Sequence, residues 1–140
     1  MAKLLDRINN PSDLQSLKVD ELKDLSAEIR EFITHSVSRT GGHLASNLGV
    51  VELSVAMHYV FNFANDRLLW DVGHQCYVHK ILTGRRDDFA GLRMRDGLSG
   101  FPNPEESDQD VFSVGHAGTA IPTALGMALG AQQNKTDEKI

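Results

Sequence analysis

Glycine–histidine pairs punctuate this chain three times, at Gly41-Gly42-His43, Gly73-His74 and Gly115-His116. Each pair follows a run with the apolar pattern of a regular element, so each marks a point where an element stops and the backbone turns. The chain has 140 residues, and twelve glycines and six histidines are many for that length. Its single cysteine, Cys76, excludes an intrachain disulfide framework and makes a reducing compartment the default. A net charge of -5 argues against nucleic acid as a partner. No apolar run approaches the ~20 residues needed to span a bilayer, which argues against a membrane. Met1 to Asn10 lacks the apolar stretch of a secretory signal, so the expected location is cytoplasmic.

Between the pairs, periodicity alternates. Asn10-Pro11-Ser12 predicts a turn and a short helix near Asp13 to Leu17. A second helix is expected from about Asp20 to Ser38, with Asp20 as N-cap and Leu22, Leu25, Ile29, Phe32, Ile33 and Val37 on one buried face. Asn47 to Phe61 reads as a helix apolar on most sides and buried on more than one face. Arg67 to Val72 reads as a strand ended by Gly73, and Gln75 to Thr83 as the helix after it. Leu92 to Asp110 reads as a long loop, and Glu105, Glu106, Asp108 and Asp110 as its solvated acidic face. A second short strand is expected near Asp110 to Val114, then a helix from about Ala120 to Gln133. Pro122 belongs in the first turn of that helix, since deeper in it would cost ~3 kcal/mol. Small residues there, such as Gly126 and Gly130, would allow close backbone packing. Lys139-Ile140 reads as the first step of another strand.

This order predicts an α/β architecture with a mostly parallel sheet flanked by helices. Two strands do not complete such a sheet. The expectation is therefore one incomplete domain over residues 1–140, the N-terminal portion of a larger one.

The pairs then acquire a chemical meaning. A strand that ends in glycine and runs into a helix start offers free backbone N–H groups and a positive dipole end, both suited to phosphate. Asp71-Val72-Gly73-His74-Gln75 and Val114-Gly115-His116-Ala117-Gly118-Thr119 share that layout. Side by side, they would cradle a diphosphate without Lys or Arg. His35 and His58 read as packing or surface residues, and His79 as structural. His74, Cys76 and His79 lack a fourth partner and match no closed zinc set. Cys76 has no base–orienter pair and reads as a small packing residue.

Several longer strings carry a resemblance. They are Gly41-Gly42-His43-Leu44-Ala45-Ser46-Asn47-Leu48-Gly49-Val50-Val51-Glu52-Leu53, Trp70-Asp71-Val72-Gly73-His74-Gln75, His79-Lys80-Ile81-Leu82-Thr83-Gly84-Arg85, Gly97-Leu98-Ser99-Gly100-Phe101-Pro102, and Gly115-His116 with Ala124-Leu125-Gly126-Met127-Ala128. In this order they closely resemble the N-terminal region of the 1-deoxy-D-xylulose-5-phosphate synthases, transketolase-like enzymes dependent on thiamine diphosphate. The resemblance runs from about Leu5 onward. It implies the diphosphate-binding part of a thiamine-diphosphate domain, a decarboxylating condensation of pyruvate with D-glyceraldehyde 3-phosphate, and a homodimer at full length.

It also implies roles. His43 matches the family histidine near the reacting centre, and Ser46 beside it is a candidate substrate contact. His74 matches the histidine that contacts the cofactor's diphosphate. Gly115, His116 and Ala117 match the second cofactor-binding stretch. Ala117-Gly118-Thr119-Ala120 departs from the usual Ser-Ser-Thr-Ser, which removes hydroxyl contacts and leaves backbone ones. No metal ligand is assigned within the chain: the family's Gly-Asp-Gly site for Mg2+ is expected past Ile140, and the cofactor-activating glutamate further on. By themselves these residues are expected neither to hold cofactor tightly nor to turn over. A transketolase-type subunit and a non-catalytic, stand-alone binding module stay open as alternatives.

Overall fold

Asn10 opens the helical body. Its side chain accepts the Ser12 amide at 3.0 Å, Asp13 Oδ2 accepts the Asn10 amide at 3.1 Å, and Pro11 fills the first helical position. This capping box starts α1 (Pro11–Leu14). The computed structural model describes residues 3–140. After α1 come α2 (Val19–Thr40), α3 (Ala45–Leu48), α4 (Val51–Val60), α5 (Tyr77–Lys80) and α6 (Ala120–Asn134).

The N-cap of α2 is Lys18, whose N–H donates to Glu21 Oε2 at 2.8 Å. Asp20 therefore lies in the first turn, where its charge suits the helix dipole, and is not the cap. Leu25, Ile29, Ile33 and Val37 form the buried face, with Leu22 and Phe32 packed at its edge. The single helix expected over Asn47 to Phe61 is two, because Val50 leaves helical geometry at φ -125°, ψ 14°. Arg30 holds the break by donating from Nη1 to the Leu48 carbonyl at 2.6 Å. α4 buries one face only, through Val51, Ser54, Val55 and His58, while Leu53 and Val60 are exposed. α5 widens into a turn over Ile81–Arg85 and ends where Gly84 turns left-handed at φ 88°.

The core lies between α1, α2, α4 and α5. Leu14, Leu25, Ile29, Ile33, Val51, Val55, Tyr77, Ile81, Leu82, Phe89 and Leu92 meet there. Phe89 is its hub, edge-on to Phe32 at 5.4 Å and to Tyr77 at 5.9 Å.

The parallel sheet is not present. The described residues hold six α-helices and no strand, so the expected α/β architecture is corrected to a helical one. Leu68, Trp70, Val111 and Val114 do come together, beneath Ala120 and Thr123 of α6. Among the described residues these two segments exchange no backbone hydrogen bond, and a strand exists only through such bonds. At the third expected strand one bond forms, from Arg67 N–H to the Lys139 carbonyl at 2.8 Å. The close packing expected of α6 is also missing. Gly126 and Gly130 have open space where a side chain would be, and Ile121, Leu125 and Leu129 are 82%, 60% and 57% exposed.

Arg67 to Val72 ends abruptly. Val72 has φ 61°, and the Gly73 N–H donates to the Asp71 carbonyl at 2.7 Å. A γ-turn with a β-branched residue at positive φ stores about 1–3 kcal/mol of strain. It reverses the chain and delivers His74.

Candidate active site

Two of the three glycine–histidine pairs meet directly. The rings of His43 and His74 lie edge-to-face with centroids 5.5 Å apart, and Phe101 closes on His43 from the long loop at 5.2 Å. The approach depends on glycine at two positions. A β-carbon on Gly42, whose φ is 144°, would sit 2.8 Å from the Tyr77 hydroxyl. One on Gly73 would sit 2.5 Å from Pro102 Cδ and 2.9 Å from Val114 Cγ2. Gly73 is thus where the loop carrying His74 crosses the run leading to the third pair.

That third pair is tied in by a carboxylate. Asp71 accepts the Gly118 N–H with both oxygens, at 2.9 and 3.0 Å, beside the N-terminus of α6. Gly115, His116 and Ala117 are exposed, and a β-carbon on Gly115 would meet nothing within 4 Å. The turn therefore leaves room for a ligand against its backbone. Its donors are neutral amides and an imidazole, which fits one end of a diphosphate. Gly118, by contrast, already spends its N–H on Asp71.

Asn47 fastens the two histidine loops together. It is fully buried, and its Nδ2 donates to the His43 carbonyl at 2.6 Å and to the His74 carbonyl at 2.8 Å. Its Oδ1 accepts the Tyr77 N–H at 2.8 Å. Ser46, the neighbouring candidate, reaches the same His74 carbonyl from Oγ at 3.5 Å. Burial holds the His43 imidazole below its usual pKa, helped by the charges of Arg93 and His74 and opposed by the Gly100 carbonyl. His43 is therefore neutral at pH 7 and able both to give and to take a proton.

Behind this front lies a buried polar cluster. Arg85 grips Asp110 with two bonds, Nη1 to Oδ2 at 2.7 Å and Nη2 to Oδ1 at 2.9 Å. His79 Nε2 reaches Asp110 Oδ1 at 2.9 Å, and His79 Nδ1 meets His58 Nε2 at 3.0 Å. Lys80, fully buried, pairs with Glu106. Asp110 is only 2% exposed, so the solvated acidic face is corrected: Glu105 and Asp108 are exposed, while Glu106 and Asp110 bind cations. Burial pushes the Asp110 carboxyl up, but the bonds from His79 and Arg85 outweigh it and hold the group well below its usual value. Cys76 packs as expected, fully buried, its thiol pushed up to about 12 chiefly by that burial.

A family model described as 1-deoxy-D-xylulose-5-phosphate synthase matches residues 5–140. The chain belongs to that family. It is 56% identical over 138 residues to the 1-deoxy-D-xylulose-5-phosphate synthase of Dechloromonas aromatica, covering 99% of this chain and 22% of that protein. It is 57% identical to that of Desulforudis audaxviator over 98% of this chain and 22% of the relative. It is 62% identical to that of Thioalkalivibrio sulfidiphilus over 93% and 20%. The chain thus spans about a fifth of the length of the relatives it matches.

The family's cofactor and ion can be weighed against the residues present. The exposed turn at Gly115–Ala117 and the imidazole of His74 suit a diphosphate. For a metal, the described residues contain no group of three or more His, Cys, Asp or Glu arranged to hold one. The hollow lined by Val60, Asn65, Arg67 and Glu138 includes none of the site residues. No helix of the described residues is long and apolar enough to cross a membrane.

Sequence reasoning missed three residues. Asn47 reads only as a helix start, Tyr77 as helix interior and Asp71 as strand end. The available signal was a lone amide inside an apolar run, since an Asn there must be hydrogen-bonded to be buried.

Proposed function

We propose that the protein works as a 1-deoxy-D-xylulose-5-phosphate synthase, condensing pyruvate with D-glyceraldehyde 3-phosphate with loss of carbon dioxide. The reaction opens the non-mevalonate isoprenoid route and also feeds thiamine and pyridoxal synthesis. Residues 1–140 form the N-terminal portion of its thiamine-diphosphate domain, the protein is a cytoplasmic homodimer, and Mg2+ ligands come from outside these residues. The reading rests on one juxtaposition: in a chain of this family, His43 and His74 lie with rings 5.5 Å apart, and Gly73, next to His74, packs against Val114, next to the open Gly115–Ala117 turn.

Thiamine diphosphate, when bound, supplies the electron sink for decarboxylation. The chain's own residues bind and orient. His74, His116 and the amides of Gly115 and Ala117 take the diphosphate end. His43, neutral at working pH, holds or moves a proton at the reacting atoms. Ser46 offers its hydroxyl to the substrate. Phe101 packs edge-to-face with His43 and limits the movement of its ring.

Steady-state kinetics and cofactor titration on the intact protein test this division. His43→Ala should cut kcat by about 10²–10⁴ with little change in cofactor affinity. His74→Ala should mainly weaken cofactor binding. Equal losses in both parameters for both variants would reject these roles.

A further inference from the structure

Tyr77 makes two contacts with a single histidine. Its ring is buried in the core, edge-on to Phe89, and its hydroxyl reaches the loop at Gly42-His43. The oxygen accepts the His43 backbone N–H at 3.1 Å and lies 3.3 Å from His43 Nδ1. The glycine before His43 is what permits this approach, since a β-carbon there would sit 2.8 Å from the hydroxyl oxygen.

A phenol carries one proton and accepts with its remaining lone pairs. If Nδ1 of His43 carried a proton, two donors would converge on the Tyr77 oxygen, and the phenolic proton would have no acceptor. If Nδ1 is bare, the phenol donates to it, and the phenolic proton and Nδ1 satisfy each other. Partly buried polar groups favour the satisfied arrangement. We propose that Tyr77 is a positioning residue for His43, fixing the tautomer with Nδ1 as acceptor and Nε2 protonated, and fixing the direction of the ring. Its catalytic consequence rests on the role proposed for His43; the tautomer does not. A bond donated to the neutral ring also opposes imidazolium formation, in the same direction as the burial of His43.

Histidine-selective 15N NMR of the intact protein reads the tautomer directly, with His43→Asn assigning the signal. Above the titration of the ring, Nδ1 should resonate as an unprotonated nitrogen and Nε2 as a protonated one. Tyr77→Phe keeps the buried ring and deletes only the hydroxyl. It should shift the tautomer toward a proton on Nδ1 and move the acid limb of the kcat profile up by about half a pH unit. It should also lower kcat about fivefold with the pyruvate KM nearly unchanged. A proton on Nδ1 in the unmodified protein, or an unchanged tautomer in Tyr77→Phe, overturns the assignment. The first of these readings stands even where the variant fails to fold. Full activity in His43→Ala alongside a tautomer shift in Tyr77→Phe would reject the reaction role of His43 and uphold the assignment to Tyr77.

Discussion

Asn47 is the residue on which the site's geometry turns. One amide satisfies the carbonyls of His43 and His74 and the N–H of Tyr77, groups that belong to two stretches of chain some thirty residues apart. No other side chain of its size both donates twice and accepts. Asn47→Ala would strand these groups in a buried place and should cost about 2–4 kcal/mol, seen as a lower Tm in a thermal melt. Asn47→Asp should be no better, because a carboxylate would face two carbonyl oxygens it cannot donate to. A change in either variant below about 0.5 kcal/mol would show that the loops hold their positions without the amide.

Among the elements, the long loop before α6 is the one the helices must hold down. Its residues Ser99, Asn103, Glu106 and Asp110 are bound into the cluster at the end of α5: the Asn103 N–H donates to Asp110 Oδ2 at 2.7 Å and the Ser99 N–H to Glu106 Oε1 at 2.7 Å. Phe101 rides on this anchored stretch, so the cluster sets the distance from Phe101 to His43. Removing one partner of a buried ion pair leaves the other uncompensated. Asp110→Ala should therefore cost about 3–5 kcal/mol and open the loop to limited proteolysis between Leu98 and Asp110. An unchanged digestion pattern would mean that the loop packs independently of its charges. None of this anchoring was legible in the sequence, because Arg85 and His79 lie 25 and 31 positions from Asp110 and an acid's partner is invisible until the fold supplies it. The helices were legible where their period was strong: α2, expected over Asp20 to Ser38, is Val19–Thr40, and α6, expected over Ala120 to Gln133, is Ala120–Asn134. The turn at Gly42-His43 was legible too, since only glycine fits there. The sheet was misread for a physical reason. The apolar runs at Leu68–Trp70 and Val111–Val114 report burial, and burial does not say whether a neighbouring backbone is in position to pair.

Taken as a whole, the molecule carries a pH dependence in its interior. His58 and His79 are buried neighbours, and burial holds both below their usual pKa. For His58 the charges of His79 and Arg85 add to that lowering. For His79 the bond and charge of Asp110 pull upward while Arg85 and Lys80 push down, and burial prevails. A neutral His79 leaves Lys80 and Arg85 balanced by Glu106 and Asp110, so the cluster gains nothing from a further proton. Unfolded, both histidines return to about 6.5. Below that pH the unfolded chain binds more protons than the folded one, so stability must fall as pH falls. The slope is at most about 1.4 kcal/mol per pH unit for each histidine, and it continues until the lowered folded pKa is reached. Asp110 acts in a separate, more acidic window: its folded pKa is depressed, so its contribution persists through this range and is lost only below about pH 4. Thermal melts from pH 7.5 down to 5.5 should show Tm declining from near pH 6.5. His58→Phe, set beside Phe63 at 4.8 Å, should flatten that decline by removing one of the buried pair of titrating groups. A Tm constant over the range in the unmodified protein would mean that the pair titrates normally in the folded state.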